Sequence, residues 1–248
     1  MGTSASELVI SLPSIYQPLA LSPPSNPFDE ACALATAQGE PGTFLWARRE
    51  DRAQCAALLA PDRPAARALL VAYVALLGLR DALGTVAPPA VPATFGWPDR
   101  LLVNGALAGG IRVRLPPVKD PDGVPDWLVV GLEVLIAGDP EDSDPGRHVD
   151  RTSLYEEGCG AVTVTSLLES FGRYFLNWIN RWQDDGFAPV KAAWLARAEG
   201  YEEEVEFRLD GHHHAGKFVA IDDSGDLVLE RAGERSRLSL AAALSALG

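Results

Sequence analysis

An α+β fold with a small all-β part at its C-terminal end is what the sequence predicts, from three observations. Strand-like runs at 42–50, 53–61 and 127–138 are interspersed with helical ones at 25–39, 65–83, 163–182 and 187–198. An Asn104-Gly105 pair sits between two short apolar segments, the signal of a type I′ hairpin. Beyond residue 200 the composition changes to four short strand-like segments in about forty residues, the spacing of a small barrel.

The elements follow in order. Residues 1–27 are rich in Pro and Ser and predict little regular structure. SNPFDEACALATAQG (25–39) predicts a helix with Asn26 as N-cap, Pro27 in the first helical position and Gly39 at the end. GTFLWARRE and AQCAALLAP predict two strands separated by charges. A buried apolar helix is expected over 65–83, closed by Gly84. Its most apolar run, 68–79, stops at Arg80 and Asp81, too short to span a bilayer. VAPPAVPA (86–93) reads as a rigid connection and KDPDGVPD (119–126) as a loop. WLVVGLEVLIAG (127–138) reads as a buried strand, and DPEDSDPGRHVDR (139–151), with His148, as an acidic loop. Leu167, Leu168, Phe171, Phe175, Trp178, Ile179 and Trp182 fall on one side of the helix expected at 163–182. EEVEFRL, AGKFVAI, DLVLER and RSRLSL are the four final strands, with turns at Asp210-Gly211, Asp222–Gly225 and Ala232-Gly233.

Bulk properties exclude several function classes. The 248 residues are 47% hydrophobic and 22% charged, enough for one large domain or one domain plus an appendage. A net charge of −13 argues against nucleic acid and anionic membranes, both of which require a basic face. Cys32, Cys55 and Cys159 are an odd number at unrelated spacings, as expected of free thiols in the cytoplasm. No basic stretch precedes the first apolar residues, so no secretion signal is read. His212, His213 and His214 alternate faces along a strand and are read as an exposed hairpin, without a metal site.

Three stretches carry a resemblance. WPDRLLVNGALAGGI (97–111) matches, without a gap, a Trp-Pro-Asn-Asp strand, Asn-Gly turn and Ala-Gly-Ile pattern. TSLYEEGC (152–159) precedes a long helix and DGFAPVKAAWLARA (185–198), and the last forty or so residues end the chain in short strands. Together they resemble the biotin protein ligases, within the biotin/lipoate A/B protein ligase family, over most of residues 20–240. The resemblance implies a class II synthetase-like core, a mixed sheet with helices, over 1–199, and an SH3-like β-barrel over 200–248. It further implies that biotin or lipoate is joined to ATP, with Mg2+, as an acyl-adenylate. The acyl group then passes to a lysine of a carrier domain in a carboxylase or dehydrogenase complex. Members often dimerise through the sheet, so a homodimer is among the implied assemblies. Residues 1–24 are short and Pro-rich, and no helix-turn-helix DNA-binding segment is expected there.

The same resemblance places site residues, each beside a plainer reading. Ser25 and Asn26 match a Thr-Asn pair that contacts biotin, or form a helix cap. Gly109 and Gly110 let main chain approach the ligand, or mark a bulge; Gly131 lies on the next expected strand. Trp97 stacks on adenine or packs in the core. Arg48, Arg49 and Arg52 stand where a glycine-rich adenylate loop is expected, but Glu50 and Asp51 interrupt them. Asp99 and Arg100 replace Asn-Asp. Leu107 occupies the place of the catalytic lysine, so Arg112 or Arg100 is the candidate replacement cation. Cys159, followed by Gly160, matches a nucleophile of octanoyl transferases. Three functions follow: a ligase with an altered site, a degenerate module that binds a small acid or a carrier domain, and a cysteine-dependent octanoyl or lipoyl acyltransferase.

Overall fold

The computed structural model describes residues 9–117, 120, 122–138, 150–209 and 211–246. Most of the expected acidic loop, with His148, lies outside them, as do parts of the 119–126 loop and Asp210 of one expected turn. A seven-stranded mixed sheet forms the centre, in the order β1-β2-β3-β7-β6-β5-β4. Its strands are β1 (Gln17–Leu21), β2 (Thr43–Ala47), β3 (Arg52–Leu59), β4 (Ala93–Gly96), β5 (Arg100–Val103), β6 (Ala106–Arg114) and β7 (Leu128–Leu135). Only β1 and β2 run parallel; every other pair is antiparallel.

The two-residue alternation of side chains divides the sheet into two faces. On one, Leu45, Ala56, Leu58 and Val129 meet Phe28, Ala31 and Ala35 of α1 (Pro27–Thr36). On the other, Cys55, Ala57, Val130, Leu132 and Val134 belong to the main core with α3 (Val71–Val86) and α4 (Val164–Asp185). From Val71 to Leu79 helix α3 is apolar on every side and buried to match. A Cβ on its Gly78 would lie 2.9 Å from the Phe175 Cα, so α3 and α4 pack almost backbone to backbone.

Several expectations change. The Pro- and Ser-rich start contains β1, and the supposed rigid connection gives way to β4 at Ala93. The long apolar helix is interrupted: α2 (Ala65–Ala68) passes into α3 through a turn in which Leu70 N–H reaches the Arg67 carbonyl. It also continues past Gly84 to Val86, since glycine weakens a helix by only about 1 kcal/mol without ending it. The stretch Ala65–Val86 is thereby long and apolar enough to cross a membrane by length and composition, but most of it is buried inside the fold.

A second, four-stranded antiparallel sheet ends the chain: β8 (Glu204–Leu209), β9 (His212–Ile221), β10 (Leu227–Arg231) and β11 (Glu234–Leu238), ordered 11-10-9-8 and followed by α6 (Leu240–Ser245). It is the small C-terminal part expected of an SH3-like domain. The turn between β10 and β11 uses Ala232 and Gly233 at φ 53° and 83°, the positive values a type I′ hairpin requires. The sheets are joined through aromatics. Trp194 of α5 (Phe187–Leu195) stacks on Phe95 with centroids 5.9 Å apart and tilts against Phe218 at 6.5 Å. The Tyr73 hydroxyl donates to the Gly225 carbonyl at 2.5 Å and accepts from Trp97 Nε1 at 2.9 Å.

Candidate active site

The site lies at the hairpin of β5 and β6. Asn104 and Gly105 take φ of 51° and 83°, both positive, as a type I′ turn demands. Strand pairing then slips. Leu102 faces Leu107 but Leu101 faces Gly109, leaving Ala108 as the extra residue of a bulge. The slip drives β6 into its neighbours. A Cβ on Gly109 would lie 2.2 Å from the Glu133 carbonyl oxygen, and one on Gly110 2.4 Å from the Asp99 carbonyl oxygen. The sheet itself therefore requires both glycines, and the bulge reading accounts for them.

The same bend opens a cavity of about 280 Å³. Asp99, Arg100, Leu107, Arg112, Glu133 and Arg151 are among its walls, and Gly109 and Gly110 line it as main chain. It lies on the α1 face of the sheet. Arg112 pairs with Gly131 and Gly110 with Glu133 in the ladder, so all four share that face. Gly131 is a glycine because Phe28 sits on it: a Cβ there would meet the Phe28 ring 2.5 Å away. The Arg112 guanidinium lies over the same ring, 4.2 Å from its centroid, a cation–π contact that holds it at the cavity rim.

Asn26 Oδ1 accepts from Phe28 N–H at 2.9 Å and caps α1, so it anchors the helix that delivers Phe28. Ser25 is half-buried just before it. Neither borders the cavity. Trp97 lies elsewhere: its Trp97–Pro98 peptide is cis, and its buried indole bonds Tyr73 and packs edge-on against Phe207 at 5.8 Å. It faces a separate cleft between the hairpin and β8.

The loop arginines have local partners. Arg49 holds Asp51 by two hydrogen bonds of 2.8 and 2.7 Å, and Arg52 Nε adds a third at 2.9 Å. The Arg49 guanidinium keeps the Asp51 carboxyl well below the usual carboxylate range. Arg52 Nη1 and Gln54 Nε2 both donate to Glu133, at 3.2 and 2.8 Å. Arg49 and Arg52 thus shape the site edge through Asp51 and Glu133 instead of pointing free charge at a phosphate. Arg48 is exposed, its backbone N–H bonded to the Leu21 carbonyl.

Burial pushes the Asp99 carboxyl up to about 6, with Arg100 pulling the other way, and its Oδ1 has no hydrogen-bond partner. The folded chain therefore binds a proton that the unfolded chain releases near pH 4, and stability falls as pH rises from there through about 6. Asp99→Asn is expected to stabilise the ligand-free protein by at most about 3 kcal/mol at pH 8. The gain should shrink towards zero near pH 4, as urea denaturation at the two pH values will measure. An equal gain at both would show that burial of the charge is not the cause.

Cys159 is buried, its Sγ 3.9 Å from the Glu157 carbonyl. Burial and the Glu157 charge both push its thiol up, away from thiolate chemistry. The feature sequence reasoning missed is Arg151. It ends the acidic stretch just before the TSL motif, and only the fold shows that residues 150–152 run alongside Leu107.

A mixed sheet with helices on both faces, a small C-terminal antiparallel sheet and a cavity at a bulged hairpin make up the scaffold. Residues 12–196 match the Biotin/lipoate A/B protein ligase family. The chain is 34% identical over 174 residues to a biotin--[acetyl-CoA-carboxylase] ligase of Paracoccus denitrificans, covering 69% of this chain and 71% of that one. A biotin protein ligase-like protein of unknown function from Silicibacter sp. superposes with a TM-score of 0.84 at 32% identity, over 94% of this chain and 97% of that one. Biotin protein ligase from Aquifex aeolicus in complex with biotin and ATP gives 0.72 at 17% identity, over 90% and 95%. The chain belongs to the biotin/lipoate A/B protein ligase family.

Proposed function

We propose that the protein is a biotin protein ligase, which activates biotin with ATP and passes it to a lysine of a biotin carboxyl carrier domain. The observation that carries the reading is the cavity at the bulged hairpin, whose walls combine bare main chain at Gly109-Gly110 with Arg100 and Arg112. A small acid and a nucleotide phosphate are both anions, and bringing them together requires positive charge already in place. Kinship with the Paracoccus ligase supports biotin as the acid.

Among the described residues no three or more His, Cys, Asp or Glu gather as a metal site. A nucleotide-borne Mg2+ needs only one or two protein carboxylates, and the unpartnered Asp99 Oδ1 suits that role. Mg2+ there would offset phosphate charge. In this reading residues 1–199 are the catalytic domain, 200–248 the SH3-like appendage, and the three free cysteines fit a cytoplasmic setting.

The test is pyrophosphate release from ATP with biotin, lipoate or octanoate, followed by mass spectrometry of a carrier domain. Biotin-dependent release and a biotinylated carrier lysine are expected. Biotin binding without release would leave a binding module, and release with lipoate alone would change the substrate.

A further inference from the structure

Leu107, which stands in the lysine's place, is gripped on its open side by the segment after the acidic stretch. Its N–H donates to the Asp150 carbonyl at 2.8 Å, and its carbonyl accepts from Thr152 N–H at 3.0 Å. Two bonds that straddle Arg151 in this way make a parallel bridge between Leu107 and Arg151. Bridged residues sit side by side, about 4.8 Å apart, and send their side chains to the same face. Both line the cavity. A guanidinium on its long stem at 151 therefore reaches the space that an ammonium at 107 would fill.

Two of the loop arginines there have carboxylate partners. Arg49 and Arg52 bind Asp51, and Glu133 already accepts from Arg52 and Gln54. Arg112 lies on Phe28, and Arg100 stands beside Asp99. Among the described residues Arg151 has no carboxylate partner, although the chain carries 34 acidic against 21 basic residues. An arginine on the cavity wall with no carboxylate partner among the described residues suits an anionic ligand.

We propose that Arg151 carries the charge missing at Leu107, its guanidinium meeting the carboxylate and the α-phosphate where they are joined. The step it serves forms a bond from a biotin carboxylate oxygen to the α-phosphorus. The bond from that phosphorus to the α–β bridging oxygen breaks, and its electron pair leaves with pyrophosphate. The inference rests on the ligase reading above.

The test uses the full chain, with thermal denaturation of every variant as a folding control. Arg151→Ala is expected to lower kcat for biotin-dependent pyrophosphate release at least a hundredfold, while the Kd for biotin without ATP changes less than twofold. Adding Leu107→Lys to that variant should recover at least tenfold of the loss, because the ammonium returns to the same space. Repair by a residue on another strand is not what a merely structural arginine would show. Release within twofold of wild type in Arg151→Ala would overturn the role of Arg151 and leave the ligase reading standing. So would a loss that Leu107→Lys does not repair, including one that comes with unfolding. Wild-type protein that releases no pyrophosphate with biotin would instead overturn both.

Discussion

Gly109→Ala is expected to destabilise the protein by about 3 kcal/mol or more, a large share of the ~5–15 kcal/mol typical of a folded chain. The added methyl carbon would sit 2.2 Å from the Glu133 carbonyl oxygen and 2.7 Å from the Val134 Cα. Both are backbone atoms in the middle of the sheet, so no side-chain rotation relieves the clash. Strand β6 would have to move away from β7, breaking the ladder that joins Gly109 to Val134 and Gly110 to Glu133. Biotin binding should be lost with it, because that ladder floors the cavity. Gly105→Ala is the comparison. Its φ of 83° is strained for alanine, but nothing lies within 4 Å, so a cost of about 1–2 kcal/mol is expected. Denaturant unfolding of the two variants measures the difference. A Gly109→Ala protein within 0.5 kcal/mol of wild type, a margin about the size of ordinary surface effects, would mean that the strands separate freely.

That glycine shows where the sequence is legible and where it is not. The Asn104-Gly105 turn could be read directly, because positive φ at two successive positions is a demand of the turn alone. The α1 cap was equally local: Asn26 and Pro27 act on their own helix. The paired glycines offer a bulge only as one of two readings, and its place at Ala108 is set by how three strands share space. Strand β1 is hidden for a related reason. QPLAL is mostly exposed and contains a proline, and it is a strand because β2 offers it a parallel partner. At the site, the acids among Arg48, Arg49 and Arg52 were visible, and so was the missing lysine. That Asp51 binds two of these arginines, and that Arg151 arrives beside Leu107 from more than forty residues away, are contacts of the folded chain.

Arg112→Ala is expected to lower the rate of biotin-dependent pyrophosphate release by about 10²–10³-fold, the usual effect of removing one preorganised group that stabilises developing charge. Arg112 owes its position to its surroundings. Its strand neighbour Gly131 has no side chain, Phe28 fills the gap, and the guanidinium lies on the ring at 4.2 Å. A cation held by a ring face keeps its hydrogen-bond donors free, unlike Arg49 and Arg52, whose donors are engaged by carboxylates. The contact with Phe28 places the guanidinium at the cavity before a ligand arrives. Phe28→Ala should therefore reduce the same rate in part, by releasing Arg112 without removing it. Arg114 is the control: it is exposed, 5.7 Å from the same ring and no part of the cavity wall, so Arg114→Ala should leave the rate within about twofold. Steady-state kinetics on the three variants separate charge from position. If Arg112→Ala and Arg114→Ala behave alike, the ring does not select the cation that serves the reaction. Equal losses in Arg112→Ala and Phe28→Ala would instead mean that the guanidinium acts only when the ring holds it in place.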